Sequence, residues 1–221
     1  MSLDIKKLYD SRFTSYERIR KSELWKILCR EFLQNYIKNS DRVVDVGAGL
    51  CEFINNIDAK EKIALDINTD VRKVAFSNVK AIIAPVKELH SKFKEKSVDV
   101  FFMSNLLEHL DSKEDVFRLL SEAFKALRSG GRLLIMQPDI GLVGNAYWDF
   151  FDHKVPITFL SLTEALTTIG YKIGDYRYPF LPYSTKVKWL PLWPPLLRFY
   201  LKLPVLQKLL GKQFFVVAVK N

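Results

Sequence analysis

Few residues in this 221-residue chain have types and positions suited to chemistry. Asp45-Val46-Gly47-Ala48-Gly49 closes a short apolar run with two glycines, which let the backbone turn tightly and come close to a ligand. A helix starting there would add unpaired N–H groups. Asp66 ends a second apolar run 17 positions after Gly49, where a carboxylate can accept both hydroxyl protons of a ribose. Singly, the glycines need only end a strand and Asp66 need only cap a helix; together they favour a nucleotide-type site. Histidine is the side chain that trades protons near neutral pH. His109, in Asn105-Leu106-Leu107-Glu108-His109, and its rival His153, with Asp152 before it to orient the ring, are the candidate bases. A structural role, with the imidazole satisfied by a backbone carbonyl, stands equally open for each. His90 lies in the charged stretch ELHSKFKEK and is expected to be solvated. Cys51 has no evident base and reads as a small core residue. Cys29 and Cys51 are too few for a disulfide framework or a Cys-rich zinc site, and no metal ion is expected.

The elements that must position these residues follow from the pattern. SELWKILCREFLQNYIKN, with Ser22 as a cap, repeats Trp25, Leu28, Phe32 and Tyr36 at helical spacing and predicts an amphipathic helix. RVVDVGAG predicts a strand, CEFINNI a helix, and KIALDI, KAIIAP and VDVFFMS further strands. SKEDVFRLLSEAFKALRSGG predicts a long helix capped by Ser112 and ended by Gly130, followed by the strand RLLIMQP. A helix at SLTEALTTIG, a strand at YKIGDYRY and a last strand at QFFVVAVK complete the series. Near-continuous apolar strands alternating with helices imply a parallel sheet buried on both faces. In such a sheet ligands bind beyond the carboxyl ends of the strands, where the candidate residues fall.

A dinucleotide fingerprint needs Gly or Ala where Glu52 stands, and no Walker Gly-Lys-Ser/Thr run exists. The pattern instead resembles class I S-adenosylmethionine (SAM) methyltransferases: VVDVGAG is similar to their first motif, ALDI to the acidic second and VDVFFMSNLLEHL to the fourth, and FKALRSGGRLLIMQP matches the approach to the fifth strand. The resemblance covers roughly residues 40–177 and the final strand. Within the superfamily, GAG-x-C-x-FIN is similar to enzymes associated with bacterial surface polysaccharide synthesis. The resemblance implies SAM as cofactor, with Asp45 orienting the first loop, Gly47, Ala48 and Gly49 along the methionine part, Asp66 on the ribose and Ile67 beside adenine. Backbone groups around Val86 would meet the adenine, because Pro85-Val86 stands where many members carry an acid; Asn105 and Leu106 complete the set. Cys51 replaces the third glycine common in the family. Asn-Pro-Pro-Tyr, carried by similar amino methyltransferases of nucleobases, is replaced by Ser104-Asn105-Leu106-Leu107, which lowers such targets. In many similar enzymes a leader such as the one holding Tyr9, Arg12 and Phe13 folds over the cofactor as a lid; packing against the sheet is the alternative.

The expected architecture is therefore an α/β three-layer sandwich: a helical leader over residues 1–40, a Rossmann-like core over 41–177, an insertion over 178–212 and a final strand over 213–221. The sheet is expected to have seven strands, mostly parallel, with the last antiparallel. Apolar residues at 48% and charged ones at 27% exclude wholesale disorder, collagen-like and coiled-coil chains. The net charge of +9 is local: residues 176–221 hold eight positive side chains and no acid, leaving +1 for the first 175. This tail also holds Trp189, Trp193 and six of the nine prolines. Pro204 is expected to split its PPLLRFYLKLPVLQKLLG portion into two short helices. Trp189, Trp193, Phe199 and Tyr200 would then lie at headgroup level and Lys186, Lys188, Arg198 and Lys202 would face anionic lipid. The alternative is that Leu196, Leu197, Leu203, Leu206 and Leu210 pack on the domain. The start lacks the apolar stretch of a signal peptide, and every apolar run is interrupted by Lys or Arg short of the ~20 residues of a membrane span, so a cytoplasmic, membrane-peripheral protein is expected. Methyl transfer to a small or glycan-like acceptor, lipid-linked ones included, at oxygen is the first expectation. An RNA or DNA methyltransferase and a catalytically silent SAM-fold binding module are the alternatives, with nucleic acid disfavoured because the charge is confined to the tail.

Overall fold

In the computed structural model, residues 15–183 and 194–221 are described; the leader positions Tyr9, Arg12 and Phe13, and the stretch with Lys186, Lys188, Trp189 and Trp193, lie outside them. The apolar runs become seven strands: β1 (Arg42–Val46), β2 (Glu61–Asp66), β3 (Val79–Ile83), β4 (Val98–Ser104), β5 (Leu127–Pro138), β6 (Lys172–Arg177) and β7 (Gln213–Val219). They form one sheet in the order β3-β2-β1-β4-β5-β7-β6. The first five are parallel, and β7 runs antiparallel to both β5 and β6. The chain leaves β1 towards β2 and β3, then returns to place β4 on the other side of β1, so the crevice of an open α/β sheet falls between β1 and β4. Val46 is level with Leu65 and with Met103. The loops after β1, β2 and β4 therefore start at one edge.

Both faces of the sheet are covered, as continuous apolar strands require. Alternate residues such as Val44, Leu65, Phe101 and Leu133 face one cluster with Leu120 and Leu166; Val43, Ala64, Phe102 and Leu134 face the other with Leu28, Phe32 and Ile54. The first helix, α1 (Ser15–Glu31), starts earlier than expected, so Ser22 lies inside it and is no cap. Leu28 and Phe32 are buried and Trp25 and Tyr36 pack at the margin, though Phe32 and Tyr36 fall beyond the helix, Tyr36 in a 3-10 turn.

CEFINNI, expected to be helical, forms turns and a single 3-10 turn, Ile54–Asn56. Asn55 spends its amide on the segment before β3, donating to the Val74 carbonyl and accepting the Phe76 N–H, while Asn56 donates to the Glu52 carbonyl within its own turn. Such bonds compete with the helical ladder. Short helices α2 (Val71–Val74) and α3 (Leu89–Lys92) follow β2 and β3. The helix α4 (Lys113–Ala126) is capped by the Ser112 hydroxyl, which accepts the Asp115 N–H. It ends at Ala126, four residues before Gly130, because Leu127 already pairs with Val98 and the strand takes over. After α5 (Ile140–Val143), α6 (Phe159–Ile169) has a Thr158–Ser161 capping box and ends on Gly170 at φ 112°.

Pro204 separates α7 (Pro194–Lys202) from α8 (Pro204–Leu210), as the sequence predicts. One expectation fails here: Tyr200 is buried, its hydroxyl donating to the Phe180 carbonyl, because α7 packs against α1 and Arg198 pairs with Glu31 at 3.2 Å. Phe199 does face solvent. No helix among the described residues is long and apolar enough to cross a membrane.

Candidate active site

The turn after β1 is shaped by backbone requirements. Gly47 has φ 72°, and a Cβ there would sit 2.8 Å from Leu106 Cδ1. The N–H groups of Gly47 and Ala48 donate to the Leu65 carbonyl at 2.8 and 3.2 Å, tying the turn to β2. Asp66 completes the junction: Oδ2 accepts the Gly49 N–H and Oδ1 the Asn68 N–H, both at 2.7 Å. Each carboxylate oxygen can accept more than one hydrogen bond, so both keep capacity for a hydroxyl. Cys51, standing for the family's third glycine, adopts φ 58°, the left-handed region glycine favours. It is buried, and burial with nearby Asp45 and Asp66 pushes its thiol up to about 12, so it is a core residue and no nucleophile at neutral pH.

A shallow cleft open to solvent lies over this turn. Asp45, Gly47, Ala48, Gly49 and Asn105, expected at the cofactor, line it, whereas Asp66, Ile67, Val86 and Leu106, expected there too, do not. Lys21 and Trp25 of α1, with Glu52, Phe53, Phe102 and Ser104, line it too; the sequence had assigned these no ligand role. Lys21 pairs with Glu52 at 3.0 Å. Ile67, next to Asp66, is 60% exposed. Leu106 packs against Gly47, while Val86 packs on the core and is absent from the cleft lining. Burial and the neighbouring charge of Asp66 hold the Asp45 carboxyl well above the usual carboxylate range, although the Ile54 N–H works against them. A cationic ligand would relieve these crowded carboxylates.

Beyond β4, a 3-10 turn, Leu107–His109, carries the second group of candidates. The sequence set His109 and His153 as rivals; the fold makes them neighbours, ring centroids 4.9 Å apart. Asp152, expected to orient His153, meets His109: Nδ1 lies 3.2 Å from Asp152 Oδ2 and 3.2 Å from its carbonyl oxygen. Burial of the His109 ring opposes its charged form, yet the hydrogen bond to Asp152 and the charge of Glu108 together raise its pKa. Glu108 is 1% exposed and its carboxyl is raised by burial. Its Oε2 accepts from the Gln137 amide, and its backbone carbonyl accepts the N–H groups of Lys154 and Val155 at 2.7 and 3.1 Å, which fastens the His153 loop to the end of β4. The predicted segments thus meet through two residues the sequence had given no role, Glu108 and Gln137. A glutamine inside an apolar strand was the available signal, since a buried amide must find a partner. His90 is exposed, as expected.

Comparison with known proteins agrees with this geometry. Residues 44–135 match the family model described as a methyltransferase domain. The chain is 28% identical over 130 residues to an uncharacterized protein of Methanocaldococcus jannaschii, covering 58% of this chain and 49% of that one. It is 34% identical over 106 residues to a ribosomal protein L11 methyltransferase of Thermotoga neapolitana, covering 45% and 40%. It thus spans about half or less of the length of these curated relatives. Among solved structures, a SAM-dependent methyltransferase of Archaeoglobus fulgidus superposes with TM-score 0.66 at 23% identity, over 90% of this chain and 94% of that one. A possible histamine N-methyltransferase of Thermotoga maritima superposes with TM-score 0.65 at 16% identity, over 97% and 99%. Residues 44–135 are thus similar to a methyltransferase domain, and the seven-stranded sheet has the fold of class I SAM-dependent methyltransferases. SAM is the cofactor this class implies. The residues present fit it: the crowded carboxylates at the cleft suit its cationic ammonium and sulfonium.

Proposed function

We propose that the chain methylates an oxygen of a small or glycan-like acceptor, lipid-linked carriers included. The observation that carries this is the Asp66 carboxylate at the end of β2, held by two backbone N–H groups with acceptor capacity left on both oxygens. Asp66 takes the ribose hydroxyls; Asp45 and Glu52 bring negative charge to the cationic end; residues 47–49 allow close backbone approach. When bound, SAM supplies an electrophilic methyl group whose leaving group is a neutral thioether. Alignment and exclusion of water accomplish much of such a displacement. The chain must also handle the acceptor's proton, and the His109–His153 cluster beyond β4 receives the acceptor hydroxyl and takes that proton. Calorimetry with S-adenosylhomocysteine tests the cofactor assignment: the wild type binds, and Asp66→Ala weakens binding by about 1.5–3 kcal/mol through loss of charge-assisted hydrogen bonds. Undetectable binding by folded wild type overturns it.

On the acceptor side, α7 and α8 would contact an anionic surface. Phe199, Val205 and Leu209 stand exposed on α7 and α8, beside Lys202 and Lys208. Apolar side chains flanked by cations suit a peripheral membrane contact.

A further inference from the structure

The cluster beyond β4 has a feature that proton transfer alone does not need. Glu108 Oε1 lies 3.9 Å from His109 Nε2 and 4.0 Å from His153 Nε2, too far for hydrogen bonds and nearly equal. One donor atom from each of Glu108, His109 and His153 falls within 4.8 Å of the others. Donors around a tetrahedral Zn²⁺ sit about 3.4 Å apart, so modest side-chain rotations close this group on an ion. The surroundings are already arranged for one. Asp152 engages Nδ1 of His109, which leaves Nε2 to present its lone pair towards Glu108, the carboxylate–histidine pairing found behind metal ligands. Gln137 fixes the other oxygen of Glu108, and its own Oε1 is buried with no hydrogen-bond partner among the described residues, an unmet acceptor that an ion-bound water would satisfy. His153 is fixed between the rings of Phe150 and Tyr147.

We infer that Glu108, His109 and His153 form a binding site for a divalent transition-metal ion, Zn²⁺ best matching two imidazoles and one carboxylate, with a coordination position left open. Nitrogen donors disfavour Mg²⁺ and Ca²⁺, which take oxygen. Three protein ligands and a vacant fourth position are the pattern of catalytic zinc. The inference rests on the methyltransferase reading only for its use: the open position would receive the acceptor oxygen, which selects acceptors with an ionisable hydroxyl or a carboxylate, and with an ion bound its charge, in place of the imidazoles as base, would lower the hydroxyl's pKa so that the proton leaves to solvent.

The test is titration of the EDTA-treated full chain with Zn²⁺ by calorimetry, and with Co²⁺ by visible absorption, with S-adenosylhomocysteine binding measured on the same samples. One Zn²⁺ per chain is expected, with affinity lowered more than about 100-fold by His109→Ala with His153→Ala, and about 10–100-fold by Asp152→Asn, which leaves all three ligands in place. Co²⁺ should give the intense visible bands of a four-coordinate ion. Circular dichroism checks the fold of each variant. Folded wild type that binds S-adenosylhomocysteine but not Zn²⁺ overturns this site and leaves the cofactor reading standing; Zn²⁺ affinity unchanged in the double variant overturns it equally. Zn²⁺ bound by the cluster without S-adenosylhomocysteine binding supports the site and counts against the cofactor reading.

Discussion

Asp45 is a residue the fold holds against its own preference. Its carboxyl is raised by burial and by Asp66, so the folded chain keeps that proton more tightly than the unfolded chain. The resulting penalty on stability is absent below the unfolded pKa of about 3.9 and grows as pH rises towards and through the folded value. Asp45→Asn keeps an oxygen for the Ile54 N–H and removes the charge. It should stabilise the protein at neutral pH by about 0.5–2 kcal/mol, seen as a higher melting temperature whose gain shrinks in acid, while calorimetry finds weaker S-adenosylhomocysteine binding. An unchanged melting temperature at neutral pH would remove Asp45 from this role. Asp45, Gly47, Gly49 and Asp66 were legible because each stands where an apolar run stops. Glu108, Gln137 and Lys21 were not, because their partners are distant in sequence and no local pattern marks them.

The turn between β1 and the Ile54–Asn56 3-10 turn works as an element because its backbone is left-handed at Gly47, Gly49 and Cys51. Gly47→Ala should cost about 1–2 kcal/mol from the positive φ alone. Leu106 Cδ1, 2.8 Å from the added carbon, must also move, and it is a flexible side-chain end. Urea unfolding should show the loss, with S-adenosylhomocysteine affinity falling; wild-type behaviour in both would show that the turn tolerates a side chain. Strands were the most legible elements, since both faces are buried and the apolar runs are unbroken. The helix expected over CEFINNI was not, because the Asn55 side chain bonds to Val74 and Phe76, the Asn56 side chain takes the Glu52 carbonyl, and the left-handed Cys51 cannot be read from its letter. Gly130 pointed to a helix end that pairing of Leu127 with Val98 brings forward to Ala126.

Over the whole molecule, the sheet and its order of motifs were readable, while the orientation of α7 was not. Apolar residues fall all round that helix, and only packing on α1 decides that Tyr200 turns inward and Phe199 outward. The outward face should bind anionic vesicles in co-sedimentation, released by salt, and Lys202→Gln with Lys208→Gln should reduce the bound fraction; each cation near such a surface contributes about 1 kcal/mol. Equal recovery on neutral vesicles would make this face a protein-packing one. The position of β7 between β5 and β6 carries a different consequence. During synthesis β6 leaves the ribosome before the strand that joins it to the sheet, so its native partner is missing until residues 213–219 follow. The nascent domain therefore holds β1 to β5 with an unpaired border at β5, a surface open to mistaken pairing, and only the late arrival of β7 seals that border and draws β6 into place.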